Sequence, residues 1–155
     1  MKKPRYLRWI ILAEAVGALS GFLSRKGNEF YSLYVQKPSF SPPDWLFPIA
    51  WGILYALMGI GAARVEAQPV SKARSRGMNL FIIQLAVNFF WSLIFFNAQA
   101  YGAAFLWLLL LLVLVAAMTL TFYRTDKLAA YLQIPYLLWL IFAAALNWAV
   151  WQLNR

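Results

Sequence analysis

The sequence predicts an all-α membrane protein, a five-transmembrane-helix bundle with a long loop between helices 1 and 2. Three observations carry that prediction. The 155 residues are 63% hydrophobic and only 12% charged, with a positive mean hydropathy, which leaves too little polar surface to coat a water-soluble globule. The apolar residues fall into five runs long enough to cross a bilayer, at residues 7–24, 45–63, 78–98, 103–123 and 129–153. The basic residues lie between those runs, and ten of the fourteen fall in the N-terminus and the second and fourth connections. By the positive-inside rule the N-terminus is then cytoplasmic and the long first loop faces outward. A net charge of +9 would also suit a nucleic-acid partner, but its placement between apolar runs indicates membrane anchoring instead and no nucleic acid.

The first helix follows the basic start Lys2, Lys3, Arg5 and Arg8. A signal peptide has a similar opening, and Ala15-Val16-Gly17 imitates a cleavage site, but the apolar run is long for a signal core and the segment is read as a retained helix. Gly17 and Gly21 form a small-xxx-small pair, a packing feature, and Glu14 shares their stripe. An ionised carboxylate at mid-membrane costs on the order of 2.5–3.5 kcal/mol and must face protein or water. The run Ile11–Gly17 resembles the first helix of the small multidrug-resistance antiporters, which implies proton-coupled drug export through Glu14. The alternative is a carboxylate bonded to a helix neighbour or snorkelling toward the basic side.

Residues 24–44 form the long loop, which carries Arg25, Lys26 and Lys37 and ends in a stiff, proline-rich lead-in, Lys37-Pro38-Ser39-Phe40-Ser41-Pro42-Pro43. Asp44 stands where an N-cap is wanted for a helix starting at about Trp45, and Pro48 falls in or just after its first turn. Trp51 and Tyr55, spaced i, i+4, share a face of that helix. Residues 64–77 read as a polar connection stopped by Pro69.

On the third helix Gln84, Asn88, Trp91, Ser92, Phe95 and Gln99 line one face. Amides are unfavourable in hydrocarbon unless bonded, so this stripe points into the bundle, as interhelical hydrogen bonds or as a ligand site. The fourth helix, with its leucine run 106–114, offers a lipid-facing or dimer surface. On the fifth, Pro135 interrupts the backbone ladder near one end, while Trp139, Phe142, Ala143, Leu146, Asn147 and Val150 share a face.

The second, third and fifth helices share outer ends, so Trp51, Tyr55, Asn88, Trp91, Ser92, Trp139, Phe142, Ala143 and Asn147 occupy comparable depths. Together they would line an aromatic cleft under a basic lid, suited to a flat apolar ring with pendant carboxylates. The alternative is a tryptophan-rich packing core. No Cys and no His occurs, which excludes disulfides, thiolate or imidazole metal sites, His acid–base catalysis and His ligation of haem iron.

Three motifs then support a resemblance. Lys37-Pro38-x-Phe40-x-Pro42-Pro43-x-Trp45-x-Phe47-Pro48-x-x-Trp51-x-x-Leu54-Tyr55, Gln84-x-x-x-Asn88-x-x-Trp91-Ser92-x-x-Phe95-Phe96 and Pro135-Tyr136-x-x-Trp139-x-x-Phe142-Ala143-x-x-Leu146-Asn147 are similar, in order, to the TspO/translocator protein family. This is the tryptophan-rich sensory and peripheral benzodiazepine receptor family. The resemblance implies a five-helix bundle, commonly a homodimer, that binds protoporphyrin IX or haem as ligand and no cofactor. It implies the same nine cleft residues as ligand contacts, and a photochemical role for Trp51 and Trp139 in light-dependent porphyrin degradation. No conventional catalytic constellation accompanies them. The sterol motif of animal members needs a Tyr before a terminal basic residue, whereas Trp148 and Trp151 precede Arg155 here, a departure from the sterol-binding pattern. The membrane is read as a bacterial cell membrane, and the outcome of binding as sensing, transport or degradation.

Overall fold

The computed structural model describes residues 2–155, and among these every regular element is helical. Five stretches, Tyr6–Leu23, Leu46–Glu66, Lys72–Asn97, Tyr101–Tyr123 and Lys127–Leu153, are long and apolar enough to cross a membrane. The protein is an integral, multi-pass helical bundle.

Helix α1 (Tyr6–Leu23) packs chiefly on α3 (Leu46–Glu66). Their backbones meet at Gly59, where a Cβ would stand 2.5 Å from the Ile10 Cα. Helix α4 (Lys72–Ser92) lies along α5 (Tyr101–Tyr123), which also supports α7 (Ile134–Leu153). The interior between them is filled by Met58, Phe81, Met118, Phe122, Tyr136 and Leu140, all fully buried. A short α6 (Lys127–Tyr131) precedes α7, and the break at Leu132 and Gln133 comes just before Pro135, whose missing N–H is harmless in a first helical turn.

The N-terminus and the second and fourth connections lie together at one end of the bundle. Lys2 N–H donates to the Ala67 carbonyl (2.7 Å), and Arg64 pairs with Asp126 across 3.1 Å. Asp126 also accepts from the Ala129 N–H and so caps α6.

The structure corrects the sequence reading in three places. The long loop is not irregular throughout, because Arg25–Tyr34 form a helix, α2. That helix contains Gly27 and Asn28, poor helix formers, and is held by tertiary contacts: Tyr31 is buried against Phe95 and Phe96, and Gly27 lies against the Phe96 backbone. Asp44 does not cap α3, since the Leu46 N–H is satisfied by the Pro43 carbonyl at 3.0 Å and no side chain caps that end. Residues 64–77 are mostly helical: α3 runs on to Glu66, Ser71 caps α4 by accepting from the Arg74 N–H, and only residues 67–71 connect them.

Helix α4 ends in a π-helical turn at Leu93–Asn97, on which α2 rests. The proline-rich lead-in is tied to the end of α7 through Asn154, whose amide accepts from the Gln36 N–H (3.1 Å) and donates to the Gln36 carbonyl (2.8 Å).

Candidate functional site

Between α1, α3, α4, α5 and α7, under α2, lies a cavity of about 410 Å³. One wall is aromatic. Trp51 and Trp139 meet edge to face, with centroids 6.4 Å apart and planes at 84°. Trp51 also leans on Tyr55 (5.5 Å), Phe47 abuts Trp139 (5.9 Å), and Trp91 stacks on Phe95 (4.9 Å, 25°). The π-helical turn places Phe95 and Phe96 on this wall, a use of irregular helix that recurs at functional sites. The opposite wall comes from α1 and α2 and is small and polar, with Glu14, Gly21, Ser24 and Asn28.

Of the nine residues expected at the cleft, eight line this cavity: Trp51, Tyr55, Asn88, Trp91, Ser92, Trp139, Ala143 and Asn147. Phe142 does not. It sits between Trp139 (5.6 Å) and Phe40 (6.3 Å), behind the wall. At about 100° per residue it lies on the opposite side of Trp139 from Ala143 and Asn147, which is the reason.

The amides make the interhelical hydrogen bonds that the sequence left open, and two of them also line the cavity. Tyr55 Oη donates to Asn88 Oδ1 at 2.6 Å, Asn88 Nδ2 donates to Tyr136 Oη at 2.8 Å, and Tyr136 Oη donates to Gln84 Oε1 at 2.8 Å. Trp91 Nε1 donates to Asn147 Oδ1 at 3.1 Å, and Asn147 Nδ2 to the Tyr101 carbonyl at 2.9 Å. Asn88 and Asn147 therefore touch the cavity while tying helices together, and Gln84 serves the interior alone.

The lid's basic groups do not serve the cavity. Neither Arg25, Lys26 nor Lys37 lines it. Arg25 donates to the Phe22 carbonyl and lies 4.0 Å over the Phe22 ring, and Lys37 donates to the Ser32 and Val35 carbonyls over the Tyr31 ring. Sequence reasoning missed Asn28, Tyr31 and Asp44 as wall residues, because helix α2 and the turn at residues 43–46 are decided by tertiary contacts. Glu14, Gly17 and Gly21 were legible as one stripe, but not that the stripe faces a cavity. The stripe is divided in use: Gly17 is filled by the Tyr55 ring, whereas nothing lies within 4 Å of where a Gly21 Cβ would be.

The model of the TspO/MBR family matches residues 9–152. The chain belongs to the TspO/MBR family. Among relatives of this TspO/MBR chain, Protein CrtK of Rhodobacter capsulatus is 38% identical over 144 residues, covering 92% of this chain and 89% of its own. The tryptophan-rich protein TspO of Chlorobaculum tepidum is 39% identical, with 92% and 91% covered, and the human translocator protein is 39% identical over 148 residues, with 93% and 87% covered. The match to the TspO/MBR family reaches all five long helices and covers α2 and the whole cavity wall from Glu14 to Asn147.

Proposed function

We propose that the cavity binds a large, flat, apolar ring compound of the porphyrin class, protoporphyrin IX or haem, taken up from the membrane. The observation that carries this reading is the edge-to-face pair Trp51 and Trp139 on the wall of one cavity within a membrane bundle. A volume of about 410 Å³ falls in the range of roughly 300–1,000 Å³ usual for small-molecule sites, and indole faces attract flat aromatic rings by stacking. The relatives' names, translocator and sensory protein, support transport or sensing as the outcome of binding. Light-dependent degradation of the bound ring would start from oxidisable indoles at Trp51 and Trp139, because the sequence holds no His or Cys for acid–base or nucleophilic work. The chain would sit in a bacterial cell membrane with its N-terminus cytoplasmic, and the exposed α5 residues Leu106, Val113 and Leu120 would meet lipid or a second copy in a homodimer.

A second reading, proton-coupled export of a lipophilic cation, is favoured by one observation: Glu14 lines the same cavity. It requires cation uptake into proteoliposomes that follows a pH gradient and is lost in Glu14→Gln.

The test of ring binding is titration of the purified protein with protoporphyrin IX in neutral detergent, in darkness and then under light, followed by tryptophan fluorescence. Saturable quenching, weakened severalfold in Trp51→Phe and in Trp139→Phe, is the expected result. Quenching that rises without saturating, or identical curves for all three proteins, would overturn the proposal.

A further inference from the structure

Helix α2 has two apolar flanks, and only one of them is packed against the bundle. At about 100° per residue its ten residues fall into four sectors in order around the axis. Gly27 and Tyr31 face the π-helical turn, the first against the Phe96 backbone and the second against the Phe95 and Phe96 rings. Asn28 comes next and lines the cavity. Ser32, Arg25 and Glu29 follow as a polar sector. Leu33, Lys26, Phe30 and Tyr34 then close the circle, where Leu33 is 66% and Tyr34 71% exposed and the exposed Phe30 ring lies 5.1 Å from that of Tyr34. Three large apolar side chains thus stand side by side with only Lys26 among them, a strip that belongs against lipid or protein and not against water.

The ends of α2 fix where each sector points. Its first residue follows Ser24, directly after the last turn of the α1 span, whose Phe22 and Leu23 are also exposed. Its far end is held by Lys37, which donates to the Ser32 and Val35 carbonyls, and by the paired hydrogen bonds between Gln36 and Asn154. Held at both ends, the helix is not free to roll. With the bundle beneath Gly27, Tyr31 and Asn28, the polar sector turns away from the membrane, and Phe30, Leu33 and Tyr34 point sideways at the level where α1 leaves the apolar core. Lys26 lies one turn before Phe30 on that flank, so its stem covers apolar surface while its ammonium reaches headgroup phosphates.

We propose that this flank is a membrane-docking surface: α2 lies in the interface of the leaflet on the lid's side, with Phe30, Leu33 and Tyr34 at the acyl boundary and Lys26 at the headgroups. Lipid then holds the cavity's cover from outside while the π-helical turn holds it from inside. Asn28 and Tyr31 wall the cavity from this same helix, so the leaflet is part of what keeps the cavity covered, whatever compound the cavity binds.

The chain has no cysteine, which allows single labelled thiols. Glu29→Cys, Phe30→Cys, Leu33→Cys and Tyr34→Cys, all at exposed positions, are each labelled with a nitroxide, and the full chain is placed in nanodiscs of phosphatidylcholine and phosphatidylglycerol. Thermal midpoints matching wild type show that the variants fold. Power saturation of the electron paramagnetic resonance signal then compares collision with oxygen, which concentrates among acyl chains, with collision with a water-soluble nickel chelate. Labels replacing Phe30, Leu33 and Tyr34 should meet oxygen severalfold more than nickel, and the label replacing Glu29 the reverse. Nickel access at those three positions equal to that at Glu29 would overturn docking in favour of a flank open to water. Low access to both reagents would overturn it in favour of contact with a second copy of the chain. In the unlabelled protein, Leu33→Ser should quicken amide hydrogen exchange in α2 severalfold relative to Glu29→Ser, which places the same residue on the polar sector. Equal rates would overturn the claim that lipid holds the lid.

Discussion

The ring of Tyr55 on α3 occupies the place where a Cβ on Gly17 of α1 would stand. The phenol is pinned there from the far side by its hydrogen bond to Asn88, so α1, α3 and α4 share one packing solution at the inner edge of the cavity.

Gly17→Ala should displace that ring, strain the Tyr55–Asn88 bond and destabilise the bundle by about 1–3 kcal/mol, the usual range for overpacking. Gly21 is the control one turn away, with open space at its Cβ position. Gly21→Ala should leave the thermal midpoint unchanged or slightly raised, since Ala is the better helix former. Gly21→Leu should keep the midpoint yet weaken ring binding by filling the cavity. Thermal unfolding in detergent and quenching titrations on the same samples check the three variants.

Tyr136 is fully buried and joins Asn88 to Gln84 without lining the cavity. Tyr136→Phe should therefore destabilise by about 0.6–1.7 kcal/mol, the range for interhelical bonds in membrane bundles, and change ring affinity little. Asn88→Leu leaves both Tyr55 and Tyr136 without a partner and should be the more damaging change. A double-mutant cycle between positions 88 and 136 should show coupling, because the two share one network. A neutral Tyr136→Phe would show that the network contributes no stability.

Tyr31 holds the lid on the π-helical turn, and its hydroxyl is pushed up to about 12, first by burial and then by the neighbouring Tyr101 and Asp44, against a hydrogen bond with Ser41 that lowers it. A phenol whose folded value is raised above 10.0 stabilises the fold fully below that pH, and the contribution is lost as pH rises from 10.0 through about 12. Hydrogen exchange in α2 should accordingly quicken over that window. Phenolate absorbance, wild type minus Tyr31→Phe, should show one group with a midpoint near 12. A midpoint near 10.0 would mean that the phenol is open to solvent.

Much of the site was legible because helical periodicity is a local property. Trp51 with Tyr55, Asn88 with Trp91 and Ser92, and Trp139 with Ala143 and Asn147 each share a face by spacing alone, and strands of evidence from charge and hydropathy order those helices in a bilayer. Phe142 sits on the same stripe by spacing and yet falls behind the wall, because a stripe is wider than the strip of it that faces a cavity. Asp44 carries the sequence signature of a cap, but the turn at residues 43–46 met the need for an acceptor with a backbone carbonyl.

What the residue order alone determined is the number of spans, their inward faces and the aromatic character of what those faces enclose, since hydrophobic periodicity and the cost of unpaired polar groups in hydrocarbon act on each helix separately. Only the tertiary structure decided that α2 forms, that the lid's cations turn to carbonyls and rings, and that Glu14 and Asp44 are the charges left on the wall. Those outcomes depend on which donor reaches which acceptor across different helices, a matter of distances that no single stretch of sequence contains.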